Sequence, residues 1–180
     1  MENEELAISK QSNPFLYKSI LSNELSTLLY NYYDNLPLKE FLGNLGPRYQ
    51  FPIEEQFMND IKKELYITLI NYFPNLYIGD MRIYKQQFGS IDKHKDMSKD
   101  GICDMTCLIY LSEVNEGGEL VLRTERPIED LSYMPNKKFY HFKIMPKKGY
   151  GIIFQKNTIH WADEVFSNKI ILLIDLANKY

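Results

Sequence analysis

Cysteine is nearly absent from this chain: Cys103 and Cys107 are the only two in 180 residues, four apart. That count and spacing exclude a disulfide framework and a zinc-ribbon pair, and reduced thiols are expected instead. No apolar run approaches the eighteen or more residues needed to cross a bilayer. The opening Met1-Glu2-Asn3-Glu4-Glu5 lacks the positive start of a signal peptide, so a soluble, intracellular protein is expected. An excess of positive charge is missing too, since the net charge is -3. Strong, sequence-independent nucleic-acid binding is therefore not expected. Low-complexity tracts and internal repeats are also absent.

What is present suits one globular domain, with 44% apolar and 25% charged residues and fourteen tyrosines. Residues 1–14 are polar and end at Pro14, which reads as a loosely held leading segment. From Ile20 to Tyr33 the residues Ile20, Leu21, Leu25, Leu28, Leu29 and Tyr32 recur at three- and four-residue spacing, an amphipathic helix with Ser22 or Asn23 as cap. Pro37, Gly43, Gly46 and Pro47 punctuate a loop. After Pro52 a second helical stripe runs through Phe57, Ile61, Leu65, Leu69 and Phe73, with Pro74 as its stop.

Beyond Pro74 the period shortens. Runs over 77–87, 105–111, 119–123, 139–144, 150–154 and 169–176, with a shorter one at 158–161, predict six to eight strands. Helices first and strands after indicate a sandwich or jelly-roll barrel with two helices on its outer face.

Chemistry concentrates around two of the three histidines. In Asp92-Lys93-His94-Lys95-Asp96, an imidazole and a carboxylate stand two residues apart, which on a strand puts both on one face. His160, on a late strand of such a barrel, could join them. Two nitrogens and one carboxylate oxygen form a facial triad that leaves three metal positions open, which suits non-haem Fe(II) better than a closed zinc site. The third histidine, His141, reads as a packed strand residue. Lys169 begins the last strand, where it is either a solvated edge lysine or an ammonium placed for a dicarboxylic cosubstrate. Tyr110 shares a strand face with Thr106 and Leu108, and its hydroxyl could assist.

These residues, in order, resemble a known family. Arg82-Ile83-Tyr84, His94-Lys95-Asp96, the run Thr106 to Leu111, Gly117-Gly118-Glu119-Leu120, Pro146-Lys147-Lys148-Gly149 and His160 followed by Lys169 are together similar to the 2-oxoglutarate- and Fe(II)-dependent dioxygenases, in the prolyl 4-hydroxylase-like branch. The resemblance spans about residues 80–176. It implies a mainly β, α+β fold: a double-stranded β-helix (jelly roll, cupin-like) flanked by two helices, with residues 1–75 as helical support and 76–180 as catalytic core of one domain.

The resemblance further implies that His94, Asp96 and His160 ligate iron, and that Lys169, Tyr110 and Tyr84 bind 2-oxoglutarate, with no catalytic residue beyond the ligands. The cofactors would be Fe(II), 2-oxoglutarate and O2, with ascorbate admitted as an accessory. The implied reaction is hydroxylation of a C–H bond, first on a protein or peptide side chain such as proline, with succinate and CO2 released. The alternatives are a free amino acid or other small molecule as substrate, and a non-catalytic cupin-like binding module. Loops 93–104 and 125–138 are the expected substrate grip. Lysine at 169, where many relatives carry arginine, supplies a point charge in place of a planar fork.

Overall fold

A computed structural model describes residues 15–38, 40–97, 101–114, 116–125 and 139–179. The leading segment and most of the second expected substrate loop lie outside these residues.

The chain begins with strand β1 (Phe15–Ser19) and enters helix α1 (Asn23–Asp34). Ser22 is the cap: its Oγ accepts the Leu25 N–H at 3.2 Å. The same residue donates from its N and Oγ to Glu64 at 2.6 and 2.7 Å, tying the start of α1 to the second helix. Two short strands follow, β2 (Glu40–Leu42) and β3 (Arg48–Pro52), where the sequence predicts only loop. Helix α2 (Glu55–Leu69) carries the expected stripe, with Phe57, Ile61, Leu65 and Leu69 all buried. It ends before Pro74, because proline disfavours helical geometry at Phe73 and the chain unwinds through a turn in which the Tyr72 and Phe73 N–H groups both reach the Leu69 carbonyl.

The remainder is strand: β4 (Leu76–Gln86), β5 (Gly89–His94), β6 (Met105–Tyr110), β7 (Leu120–Glu125), β8 (Phe139–Ile144), β9 (Tyr150–Gln155), β10 (Ile159–Val165) and β11 (Lys169–Asn178). They form two antiparallel sheets, a seven-stranded one in the order β1-β9-β6-β11-β4-β3-β2 and a four-stranded one in the order β5-β10-β7-β8. The expected double-stranded β-helix with two flanking helices is the architecture found. The predicted runs after Pro74 each correspond to a strand, and β1, β2, β3 and β5 are additional. These four are short or polar, and pairing makes them strands: β1 with β9, β3 with β4, β5 with β10.

Strand β6 is buried on both sides, so its alternation sorts two cores. Met105, Cys107 and Ile109 join α1, α2 and the outer side of the large sheet in one apolar cluster. Leu108 and Tyr110 point the other way, into a second cluster between the sheets with Leu120, Leu122, Ile152 and Phe154. Cys103 and Cys107 are both buried and in no disulfide, in keeping with the reduced thiols expected, and burial pushes the Cys107 thiol well above its usual range. No helix of the described residues is long and apolar enough to cross a membrane.

Candidate metal centre and cosubstrate cavity

The inward face of the large sheet can be read from its register. On β4 it presents Arg82, Tyr84 and Gln86, paired with Leu173, Ile171 and Lys169 of β11. The next strand, β6, sets Tyr110, Leu108 and Thr106 opposite Ile171, Leu173 and Asp175. Facing them, the small sheet pairs His160 of β10 directly with His94 of β5 and with Leu122 of β7. One cavity of about 350 Å³ lies between these faces, lined among others by Tyr84, His94, Asp96, Tyr110, His160 and Lys169. All six residues expected at the site therefore meet in one cavity.

His94, Asp96 and His160 each bring a donor atom within 4.8 Å of the others, and no fourth histidine, cysteine or carboxylate joins the group among the described residues. Asp96 lies just beyond the end of β5, so strand alternation alone does not aim it as the sequence suggests. Its N–H instead donates to the Lys156 carbonyl at 3.1 Å, which brings it beside the strand that leads to His160.

Each imidazole faces a backbone carbonyl through Nδ1, His94 toward Asp92 O at 2.7 Å and His160 toward Thr158 O at 3.0 Å. A carbonyl only accepts, so this contact keeps the proton on Nδ1 and leaves the Nε2 lone pair for the centre. Both Nε2 atoms face Asp96 Oδ1, at 3.5 and 3.7 Å. The second carboxylate oxygen accepts the Thr106 hydroxyl at 2.6 Å. Burial alone would raise Asp96, but the His94 contact, the His160 ring and the Thr106 hydroxyl outweigh it and hold the carboxyl at about 2. Burial lowers His160, which favours the neutral, ligating imidazole. Two neutral nitrogens and one ionised oxygen fit a divalent ion with open positions, and nothing in the group would close it as a structural zinc site would.

At the cosubstrate end, Lys169 is 5% exposed. Its Nζ donates to the Gly118 carbonyl at 3.0 Å, and burial lowers its pKa to about 8 against the weaker pull of Glu119 and Asp163. The edge-lysine alternative is thereby excluded. Gly118 has φ +70°, and a Cβ there would stand 3.1 Å from Lys169 Cδ, so glycine both permits the turn and makes room for the lysine. The Tyr110 hydroxyl is buried with no hydrogen-bond partner among the described residues, and burial drives its pKa far above the usual tyrosine range. The Leu120 N–H is near enough to moderate that rise, though it falls short of hydrogen-bond geometry. A cation and an orphaned hydroxyl, both dry and in one cavity, suit a carboxylate guest. Tyr84 is buried alongside, beneath the Arg48 guanidinium at 4.6 Å.

His141 is on strand β8 as expected but is exposed rather than packed in a core, set edge-on to Trp161 at 5.2 Å. Several cavity residues carried no signal in the sequence. Arg48 belongs to β3, which reads as loop, and Asp175 acquires its role only by pairing at 2.6 Å with Lys156, which stands outside the cavity lining.

The family model described as the 2OG-Fe(II) oxygenase superfamily matches residues 79–174. A search of curated protein sequences finds no match. Among solved structures the chain is similar to a viral collagen prolyl hydroxylase of Paramecium bursaria Chlorella virus 1 in a 2OG complex, at 21% identity and TM-score 0.59, covering 91% of this chain and 96% of that one. It is also similar to a Pseudomonas putida prolyl-4-hydroxylase, at 13% identity and TM-score 0.64, covering 93% and 94%. A third is the Trichoplax adhaerens prolyl hydroxylase in complex with a hypoxia inducible factor peptide fragment, at 14% identity and TM-score 0.63, covering 93% and 84%. The match over more than half of the chain and the cavity geometry lead to one conclusion: this protein belongs to the 2OG-Fe(II) oxygenase superfamily, whose members use Fe(II), 2-oxoglutarate and O2.

Proposed function

We propose that the protein hydroxylates a C–H bond of a protein or peptide side chain, proline first, consuming 2-oxoglutarate and O2 and releasing succinate and CO2. The observation that supports this reading is the meeting of the His94, Asp96 and His160 donor set with the dry Lys169 and Tyr110 polar pair inside one cavity. The likeness to structures whose names record prolyl hydroxylases favours proline.

In this reading His94 Nε2, Asp96 Oδ1 and His160 Nε2 hold Fe(II). Thr106, Asp92 O and Thr158 O orient them, as outer partners do in other metal sites. Bound Fe(II) with its cosubstrate supplies the O2 activation and the oxidising equivalent for the C–H bond. Lys169 Nζ and the Tyr110 hydroxyl take the distal carboxylate of 2-oxoglutarate, and Leu108, Ile171 and Leu173 keep water from it. Tyr84 lines the same pocket. Residues 1–75 would then buttress a catalytic core formed by 76–180, as parts of one domain.

The test is succinate formation from 2-oxoglutarate by protein loaded with Fe(II) without oxygen and then exposed to it, in the presence of proline-containing peptides. Turnover lost in His94→Ala, and a raised requirement for 2-oxoglutarate in Lys169→Ala, are the expected results. Absence of both turnover and metal-dependent 2-oxoglutarate binding would sink the reading.

A further inference from the structure

Arg48 enters the cavity from β3 and forms no ion pair with a carboxylate among the described residues. Gln50 stands opposite Tyr84 in the register, so Arg48, two residues back on the same face, lies beside that ring, with its guanidinium carbon 4.6 Å from the ring centroid. Its Nε is buried and has no hydrogen-bond partner among the described residues. The neighbouring cations are all engaged: Arg82 with Asp80 and Asp175, Lys156 with Asp175, Lys85 with Asp34, and Lys169 with the Gly118 carbonyl. Asp96 attracts Arg48 only from a distance, since its oxygens face Thr106 and the two imidazoles.

A half-buried guanidinium whose Nε is buried without a partner among the described residues is costly, and its planar fork matches a carboxylate. A neutral carbonyl would satisfy the Nε–H but leave the charge uncompensated. The cavity walls near the metal group include Leu45, Ile91 and Met97, which suit an apolar body between that carboxylate and the reacting carbon. In the proposed reading Lys169 and Tyr110 form the receptor for the cosubstrate, so a second cation without an ion-pair partner among the described residues suits a second anion.

We propose that Arg48 is the substrate anchor of this cavity and receives a carboxylate carried by the substrate itself, stacked over Tyr84 beside the metal group. This deepens the oxygenase reading and rests on it. It narrows the substrate to acids: a free or N-blocked amino acid, or a peptide whose chain end or adjacent acidic side chain supplies the carboxylate.

The test uses the full-length protein loaded with Mn(II) and saturating 2-oxoglutarate, and a set of the twenty N-acetyl-L-amino acids, each as free acid and as amide. Paramagnetic relaxation of the probe protons by Mn(II) reports binding beside the metal without requiring turnover. At least one free acid is expected to bind about tenfold or more tightly than its amide, the effect of one charged hydrogen bond. That preference should vanish in Arg48→Met and survive in part in Arg48→Lys, with Mn(II) and 2-oxoglutarate affinities unchanged in both as the control for folding. A second arm, N-acetyl-X-Asp-amide against N-acetyl-X-Asn-amide, distinguishes a neighbouring side-chain carboxylate from the residue's own.

Acids and amides binding alike in both arms, or no probe relaxed at all, overturns the anchor. So does a loss of 2-oxoglutarate affinity in Arg48→Met, which would give Arg48 to the cosubstrate. Wild type that binds neither Mn(II) nor 2-oxoglutarate overturns the oxygenase reading beneath it.

Discussion

Lys156 Nζ donates to Asp175 Oδ1 at 2.6 Å, with the two side chains only 7% and 5% exposed. The other oxygen of Asp175 accepts Arg82 at 3.0 Å, so one buried carboxylate joins β4, β11 and the turn after β9. The lysine that makes this pair also offers its own carbonyl to the Asp96 N–H. A charge pair in the sheet therefore positions a residue of the metal group.

Lys156→Met should reveal this coupling. It leaves Asp175 with Arg82 alone, and removing one member of a buried pair costs about 3 kcal/mol. Urea unfolding is expected to show that loss, and calorimetry with Mn(II) a weaker affinity. Lost stability with unaltered metal affinity would mean that the pair serves the fold only.

Thr106→Val removes the hydroxyl that orients Asp96 Oδ2 while nearly preserving shape. Outer partners of metal ligands typically contribute about 10- to 100-fold in affinity. Mn(II) titration should show a weakening in that range, with binding of 2-oxoglutarate by Mn(II)-saturated protein unchanged.

Lys169 and Tyr110 should sacrifice stability to binding. The Lys169 pKa in the fold, about 8, lies below its ordinary 10.5, so between those values the unfolded chain holds more protons than the native one. Native stability should thus rise as pH increases from about 8 to 10.5, and the charged lysine burdens the fold at every pH below 8. Lys169→Met is expected to be more stable than wild type at pH 7, by up to roughly 3 kcal/mol, and to lose 2-oxoglutarate binding. In wild type, that binding should weaken as pH climbs through 8. Tyr110→Phe, which deletes a hydroxyl with no partner among the described residues, should leave stability level or raised and lower 2-oxoglutarate affinity. Calorimetry and chemical unfolding read both quantities, and an unstable Lys169→Met would contradict the assignment.

Gly118→Ala forces a side chain onto a backbone at φ +70° and against Lys169 Cδ. The left-handed backbone alone costs about 1–2 kcal/mol, and displacement of the lysine should also raise the 2-oxoglutarate concentration needed for half-saturation. Thermal unfolding and cosubstrate titration test the two parts separately.

For the apo protein in acid, the centre sets the sign. The His160 pKa is lowered by burial and the Asp96 pKa is held at about 2, below its ordinary 3.8. Both groups bind protons more readily when unfolded, so their contributions are complete above the ordinary values and fall away as pH drops, first His160 below about 6.5 and then Asp96 between 3.8 and 2. His160→Ala should flatten the first phase of an acid-unfolding curve monitored by circular dichroism.

The sequence by itself determined the elements whose pattern is local. The stripe from Phe57 to Leu69 follows from apolar spacing alone, and the strands from β6 to β11 follow from short apolar runs between breakers. It also singled out His94, Asp96, His160, Tyr110, Tyr84 and Lys169, because only three histidines are present and the motifs around them stand in a set order that resembles a family without any geometry. Tertiary structure alone decided the rest. Arg48-Tyr49-Gln50 reads as loop until β4 supplies the partners for its backbone groups, and only then does Arg48 face the cavity. Lys156 and Asp175 are nineteen residues apart, and nothing in either neighbourhood marks them as a pair. Long-range strand pairing and burial create such relationships, and they are properties of the folded sheet that no local pattern encodes.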